Sequence, residues 1–202
     1  MQRPLKIATA LAVLASTVWL TGCVGLAATG VAVGAMSAMD RRTIGAQTED
    51  TEIELRMAGG LSDAVKGAGN VSITSFNRRV LLTGQVPDEA TKAAVQRHVA
   101  SYPPVRQVYN ELTVGPAASF STKSSDSLIT TRVKSEILNQ KALSVNAVKV
   151  VTESGVVFLM GLVTEREGPA YAGVASRVPG VTRVVTLFEY ITEDELKRIV
   201  SQ

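Results

Sequence analysis

The sequence has few of the residues from which catalytic and metal sites are built. Its 202 residues include one cysteine, one histidine and one tryptophan, and aromatic residues make up 4% of the chain. With Cys23 as the only cysteine, no disulfide can form within the chain. His98 has no second histidine with which to form a site. We therefore expect a non-enzymatic protein without a cofactor or a bound metal, in which His98 is structural or solvated.

An excess of charge of one sign is also missing. The chain carries 21 basic and 18 acidic residues, which gives a formal net charge of +3. Arg3 and Lys6 belong to an N-terminal segment that we expect to be removed, which would leave a net charge of about +1. Nucleic-acid binding needs clustered positive charge. We therefore expect no nucleic-acid partner, and any binding to anions must come from a local patch.

The N-terminus has the three parts of a secretory signal. Positive charge near the start is followed by an apolar run over residues 7–20 and then by Leu20-Thr21-Gly22-Cys23. This run is shorter than the ~20 residues that span a bilayer, which disfavours the alternative of a buried cysteine at the end of a transmembrane helix. Small residues directly before a cysteine are typical of a lipobox. The sequence predicts a lipoprotein signal peptide over residues 1–22, and acyl chains such as palmitate on Cys23 that anchor the protein to a membrane.

A segment of small, apolar and uncharged residues follows over 24–39. It forms the main part of a predicted tether, residues 23–47. The tether either lies flexibly near the lipid surface or forms a helix that packs through Gly30 and Gly34, which have the small-xxx-small spacing. Val24 stands where lipoproteins kept at the inner membrane commonly have aspartate, so by analogy we expect the outer membrane as the destination.

The rest of the chain contains an internal repeat. Residues 71–86 match residues 148–163 in pattern and in several identities. Each copy begins with helical periodicity, continues with two short runs of alternating apolar residues joined by a tight turn, and ends with a second helix and a last strand. This αββαβ order predicts an α+β fold of two tandem units. We expect each unit to form a three-stranded mixed sheet with two helices on one face, and the two units to pack together.

The repeat also sets the predicted boundaries. The first unit covers residues 48–114 and the second covers residues 125–191, and a linker rich in turn formers joins them over 115–124. Thr192-Glu193-Asp194-Glu195 has a capping-box pattern, so residues 192–202 are expected to contain a short helix from Glu193 to Val200.

Local sequence patterns predict the hairpin turns of both units and the start of the second helix in the second unit. Asn77-Arg78 and Glu153-Ser154-Gly155 are predicted tight turns, because they contain residue types suited to positive φ. Thr164 and Glu167 have capping-box spacing, but Pro169 follows closely. Because proline inside a helix removes a backbone hydrogen bond, we expect this helix to start at Pro169.

The repeated motifs resemble the BON domain. Both copies have an L-x-G-x-V strand end, at 82–86 and 159–163, and a P-x-V-x-x-V approach to the last strand, at 103–108 and 179–184. The segments 126–134 and 148–167, the lipobox and Asp40-x-Arg42-x-x-Gly45-x-Gln47 are similar to the family of dual-BON outer-membrane lipoproteins. The resemblance covers nearly all of the chain after Cys23. Gly168-Pro169 and the segment after Ile191 depart from it.

The resemblance implies a function in the cell envelope. Such proteins lie on the periplasmic face of the outer membrane, bind anionic phospholipid through the second BON domain, gather at the division site and support envelope integrity. Lipid binding is associated with the first helix of that domain, where the family pattern has an aromatic residue at the position of Leu128.

The chemistry of this helix agrees with a lipid contact. On a helical wheel, Ile129, Val133 and Ile137 face the sheet, whereas Leu128 and Leu138 point elsewhere, with cations beside them. The predicted site for a phosphatidylglycerol-like lipid consists of Leu128, Thr131, Arg132, Lys134, Ser135 and Leu138. The alternative is that the two leucines pack against the other unit.

The matching helix of the first copy carries Glu49, Asp50, Glu52 and Glu54, which an anionic membrane should repel. A second hypothesis is therefore a non-catalytic adaptor. In that case the acidic first copy, a sheet edge or Arg78-Arg79 would dock an envelope assembly protein or a cell-wall factor.

Overall fold

The computed structural model describes residues 40–66 and 70–201. The predicted signal peptide, the lipidation site at Cys23 and the tether up to residue 39 lie outside the described residues. The elements are α1 (Ile44–Ala64), β1 (Val71–Phe76), β2 (Arg79–Val86), α2 (Glu89–Ala100), β3 (Gln107–Asn110), β4 (Thr113–Val114), α3 (Phe120–Leu138), a 3-10 turn (Val145–Ala147), β5 (Val148–Glu153), β6 (Val156–Val163), α4 (Glu167–Ser176), β7 (Arg183–Tyr190) and α5 (Glu193–Val200). Within these residues, none of the helices combines the length and the apolar character that a membrane span requires.

Each repeat forms a small mixed sheet around a central strand. In the second repeat β6 pairs antiparallel with β5 and parallel with β7. In the first repeat β2 pairs antiparallel with β1 and parallel with β3, and β4 continues the pairing along the same strand. The break at Glu111 and Leu112 divides the last strand in two, so the first sheet has four strands by count. The predicted α+β fold of two αββαβ repeats is confirmed.

The helices of each repeat cover one face of its sheet. In the first repeat, Ile53 and Met57 of α1 and Val95 of α2 are buried against Val80 and Leu82 of β2. The second repeat builds its core from the equivalent positions, namely Ile129, Val133 and Ile137 of α3, Tyr171 and Val174 of α4, and Val157 and Leu159 of β6. The apolar residues that recur with helical spacing in the sequence therefore face the core, as predicted.

The opposite faces of the two sheets pack against each other. Phe76 and Leu81 of the first repeat share one buried cluster with Phe158, Met160 and Leu187 of the second. The fold is thus a helix layer, two sheets and a second helix layer, which confirms that the repeats pack together. Since β6 is buried on both faces, its sequence is a continuous apolar run, so the alternation predicted for this strand is wrong.

The glycine of each L-x-G-x-V motif allows a close approach of two backbone segments. A Cβ atom at Gly84 would lie 2.0 Å from the carbonyl oxygen of Asn70, and a Cβ atom at Gly161 would lie 2.7 Å from that of Ala147. In both repeats this is where the chain enters the first strand. The motif is therefore a packing requirement of the repeat.

The hairpin turns have the predicted positive φ angles. Asn77 and Arg78 have φ values of 52° and 64°, and Ser154 and Gly155 have values of 50° and 77°. In the second repeat the carboxylate of Asp126 accepts hydrogen bonds from the backbone N–H groups of Ser154 and Gly155, at 2.7 and 2.8 Å. Asp50 of the first repeat accepts the equivalent bonds from its own hairpin. A buried aspartate on the first helix thus holds the turn in each repeat.

Three helices begin earlier than the sequence suggested. α1 begins at Ile44, inside the predicted tether, and α3 begins at Phe120, inside the predicted linker. The Ser119 side chain accepts a hydrogen bond from the Thr122 N–H, so the serine-rich segment starts an exposed helix rather than a loop. α4 begins at Glu167 and not at Pro169, because Pro169 lies in the first turn, where its missing N–H is not needed.

The capping boxes differ in completeness. The Glu167 carboxylate accepts a hydrogen bond from the Thr164 N–H at 2.9 Å, but the Thr164 hydroxyl has no partner among the described residues. At the C-terminus the reciprocal box between Thr192 and Glu195 is complete, and α5 has the predicted bounds.

Candidate functional site

The outer face of α3 presents all six residues predicted as a lipid site. The buried residues of this helix are Asp126, Ile129, Val133 and Ile137. The six residues on its remaining faces are exposed, namely Leu128, Thr131, Arg132, Lys134, Ser135 and Leu138. Leu128 is 56% exposed and Leu138 is 69% exposed. The alternative in which these leucines pack against the other repeat is therefore wrong.

Phe120 is an apolar residue of this face that the sequence reasoning missed. It is the first residue of α3 and is 89% exposed. At 100° per residue it points in the same direction as Leu138 and lies about 12 Å along the helix axis from Leu128. The sequence predicts it to lie in the linker, residues 115–124, because that segment is rich in turn formers. The N-cap at Ser119 was the signal that could have placed it on the helix. α3 therefore carries an exposed aromatic residue two turns before Leu128.

The charge on α3 is mostly positive at its surface. The helix has three exposed cations, Lys123, Arg132 and Lys134, and one exposed acid, Glu136. Among the described residues, none of these cations has a carboxylate oxygen within 4.0 Å. The outer face of α3 thus combines exposed apolar side chains with cations that are available to an external anion.

The acidic residues of α1 are used within the protein. Glu49 pairs with Arg78, and Glu54 accepts a hydrogen bond from Lys149 of the second repeat at 2.6 Å. The pair between Glu52 and Arg56 is more exposed. Some acidic residues of α1 therefore take part in the contact between the repeats, and others remain at the surface of the helix.

Arg78 and Arg79, considered above as docking residues, also have internal partners. Besides the Arg78–Glu49 pair, the Arg79 Nε atom lies 3.3 Å from Glu189 Oε2 of the second repeat. Both guanidinium groups are thus engaged within the chain.

Arg41, at the start of the described residues, is buried against the second repeat. Its two terminal nitrogens donate to the two carboxylate oxygens of Glu167 at 2.7 Å each, and one of them also donates to the Leu162 carbonyl oxygen at 2.8 Å. Burial raises the pKa of Glu167, but hydrogen bonds from Arg41 and the Thr164 N–H outweigh it, so that this pKa lies below its ordinary value.

Arg42, the next residue, is bound to the first repeat. Its guanidinium group donates to Asp50 and to Asp40 at 2.7 Å each, and it lies 4.2 Å from the centre of the Phe76 ring. Adjacent arginines thus fix the segment before α1 to both repeats. Both residues lie within the predicted tether, residues 23–47, for which the sequence indicated no contact with the repeats.

No cluster of three or more metal-ligating side chains occurs in residues 40–66 and 70–201. The imidazole of His98 lies half-buried on α2.

The family assignment follows from these features. The model of the BON domain matches residues 49–116 and 125–192, which contain the two αββαβ repeats. The chain belongs to the BON-domain family, and its two-domain organisation is that of the DolP-type lipoproteins. It is 41% identical over 180 residues to Outer membrane lipoprotein DolP of Haemophilus influenzae, which covers 88% of this chain and 93% of that protein. The resemblance seen in the sequence is therefore confirmed.

Two further similarities are more distant. The chain is 35% identical over 155 residues to the 21 kDa hemolysin of Actinobacillus pleuropneumoniae, which covers 76% of this chain and 80% of that one. Among solved structures, CdsD, a structural protein of the type III secretion system of Chlamydia trachomatis, aligns with a TM-score of 0.28 and 14% identity over 74% of this chain and 68% of that one. No conclusion on fold or function follows from the latter similarity.

Proposed function

We propose that this protein is a non-catalytic outer-membrane lipoprotein that faces the periplasm and binds anionic phospholipid through its second BON domain. Acyl chains on Cys23 would anchor it, and its role would be to support envelope integrity, in particular at the division site. The similarity to an outer-membrane lipoprotein over most of both chains supports the location. The lipid contact rests on α3 alone.

One observation carries the proposal, namely that exposed apolar residues and cations without carboxylate partners share the outer face of α3. Phe120, Leu128 and Leu138 would enter the acyl boundary, and burying one such side chain is worth about 1.5–3 kcal/mol. Each nearby cation adds about 1 kcal/mol at an anionic surface. The apolar contacts hold the helix at the lipid, and the cations select a negative membrane.

Vesicle co-sedimentation tests this proposal. The non-acylated chain from Met39 to Gln202, which forms one compact unit, would be mixed with phosphatidylglycerol or neutral vesicles at low and high salt. We expect binding to the anionic vesicles only, weakened by salt. Leu128→Glu should abolish it without a change in thermal stability. Leu55→Glu is the matched control, since Leu55 is a 74% exposed leucine on α1 of the first repeat.

Two outcomes would contradict the proposal. If the unmodified chain binds neither kind of vesicle, α3 is not a lipid site, and docking of a protein at a sheet edge becomes the better hypothesis. If both glutamate variants weaken binding equally, any added negative charge suffices and the outer face of α3 has no special role.

A further inference from the structure

A groove between α3 and α4 adjoins the apolar face of α3. Its lining includes Arg132, Glu136 and Gln140 from the α3 side, and Val174, Arg177 and Val178 from the α4 side. Arg132 lies one helical turn after Leu128, so the groove opens beside the residues proposed to enter the membrane. It thus lies where the head group of a bound lipid would be.

The groove brings together two cations, Arg132 on α3 and Arg177 directly after the end of α4. Arg132 and Arg177 have no carboxylate oxygen within 4.0 Å among the described residues, whereas Arg41, Arg42 and Arg79 all have one. A guanidinium group presents planar donors that fit phosphate oxygens. With the Glu136 carboxylate in the same groove, the two guanidinium groups leave a net charge of +1, which matches the single negative charge of a phosphodiester.

The other polar groups of the groove favour a particular kind of head group. Glu136 offers a carboxylate, which accepts hydrogen bonds and repels a second negative charge, and Gln140 offers an amide that can both donate and accept. Val174 and Val178 are buried and form an apolar floor. A phosphodiester that carries hydroxyl groups suits this lining better than a phosphomonoester, which has an additional negative charge.

We propose that the α3–α4 groove binds the head group of a single phospholipid. Arg132 and Arg177 hold the phosphodiester, while Glu136 and Gln140 form hydrogen bonds with a hydroxyl-bearing group such as glycerol. This inference rests on the proposed lipid function. It adds to a general attraction to negative membranes the specific recognition of one lipid head group. Arg177 is the residue that distinguishes the two proposals, since it directly follows α4 as its C-cap and lies outside the face of α3 described above.

Removal of single cations tests the groove. In the chain from Met39 to Gln202, Arg177→Gln should weaken binding to phosphatidylglycerol vesicles by about tenfold, because hydrogen bonds to charged groups are among the stronger ones. Arg97→Gln is the matched control, since Arg97 is an exposed cation on α2 without a carboxylate within 4.0 Å among the described residues. We expect that variant to bind within about twofold of the unmodified chain.

A second variant tests the choice of head group. Glu136→Gln should increase binding to phosphatidic acid vesicles relative to phosphatidylglycerol vesicles, because it removes the repulsion of the additional charge. Soluble glycerophosphoglycerol, used as a free head group, should perturb the NMR signals of Arg132 and Arg177 in the unmodified chain. Inorganic phosphate at the same concentration should perturb them less.

The outcomes separate this inference from the function on which it rests. Loss of vesicle binding in Leu128→Glu together with normal binding in Arg177→Gln would contradict head-group binding in the groove, but it would be consistent with the proposed lipid function. Equal losses in Arg177→Gln and Arg97→Gln, or equal perturbation by inorganic phosphate, would contradict head-group binding as well. Failure of the unmodified chain to bind any anionic vesicle would overturn both.

Discussion

Arg41 and Glu167 form a two-pronged ion pair at 2.7 Å between residues 126 positions apart in the sequence. The side chains are 7% and 4% exposed. Arg41→Met would leave the Glu167 carboxylate buried without its partner, which typically costs about 3–5 kcal/mol. We expect a loss of that size in the free energy of unfolding of the chain from Met39 to Gln202, measured by urea denaturation.

The exposed pair between Arg166 and Glu193 provides the control for Arg41→Met. Its side chains are 66% and 51% exposed. Arg166→Met should therefore change the free energy of unfolding by less than about 1 kcal/mol. Equal effects of the two substitutions would mean that the Arg41 pair contributes no more than a surface contact.

Glu167 should also make the fold sensitive to acid. Its pKa is lowered in the folded protein, so the folded state binds fewer protons than the unfolded state at acidic pH. This contribution to stability is complete above the unfolded value of about 4.3 and is lost as the pH falls through the folded pKa. The stability difference between the unmodified chain and Glu167→Gln should therefore shrink as the pH is lowered below about 4.3. A constant difference over this range would contradict the role of the carboxylate charge.

Phe120 should contribute to lipid affinity as an exposed aromatic residue of α3. Phe120→Ser should weaken binding to phosphatidylglycerol vesicles by about tenfold or more, because burying an aromatic side chain is worth more than 1.4 kcal/mol. Ile44→Ser is the matched control, since Ile44 is the first residue of α1 as Phe120 is of α3, and it is 74% exposed. Unchanged vesicle affinity in Phe120→Ser would remove Phe120 from the binding face.

The close backbone approach at Gly161 predicts a steric effect. Gly161→Ala would place a Cβ atom 2.7 Å from the Ala147 carbonyl oxygen and should lower the free energy of unfolding by about 1–3 kcal/mol. Gly59→Ala, on α1, where the added Cβ would have no neighbour within 4 Å apart from the backbone of its own helix and the adjacent residues, should instead raise it by about 0.4–1 kcal/mol. Thermal unfolding of both variants measures the contrast. Stabilisation by Gly161→Ala would show that the strand entry can move aside.

The parts of the fold that the sequence revealed are those with a local or repeated signal. Ile129, Val133 and Ile137 showed helical periodicity, and all three are buried in the core of the second repeat. The glycines at 84 and 161 marked the same place in both copies. Because each element has the same sequence pattern in both copies, the order of helices and strands could be predicted.

The parts that could not be predicted depend on distant partners or on ambiguous composition. Nothing near Arg41 in the sequence indicates that its partner is Glu167, and nothing near Arg177 indicates that it lines a groove with Arg132. Phe120 was missed for a different reason, since serine and threonine are common both in loops and in the first exposed turns of a helix. The sequence predicts alternating apolar residues in β6 and helices on one face of the sheet only, so it did not identify the other sheet as the cover of the second face.

The face-to-face packing of the two sheets means that the duplicated unit is incomplete by itself. The first repeat without the second would expose Phe76 and Leu81, and the second without the first would expose Phe158 and Met160, in each case an apolar sheet face open to aggregation. The repeats should therefore unfold as one cooperative unit. Truncation within either copy would be expected to remove the whole molecule through quality-control proteolysis, and not to leave a working half.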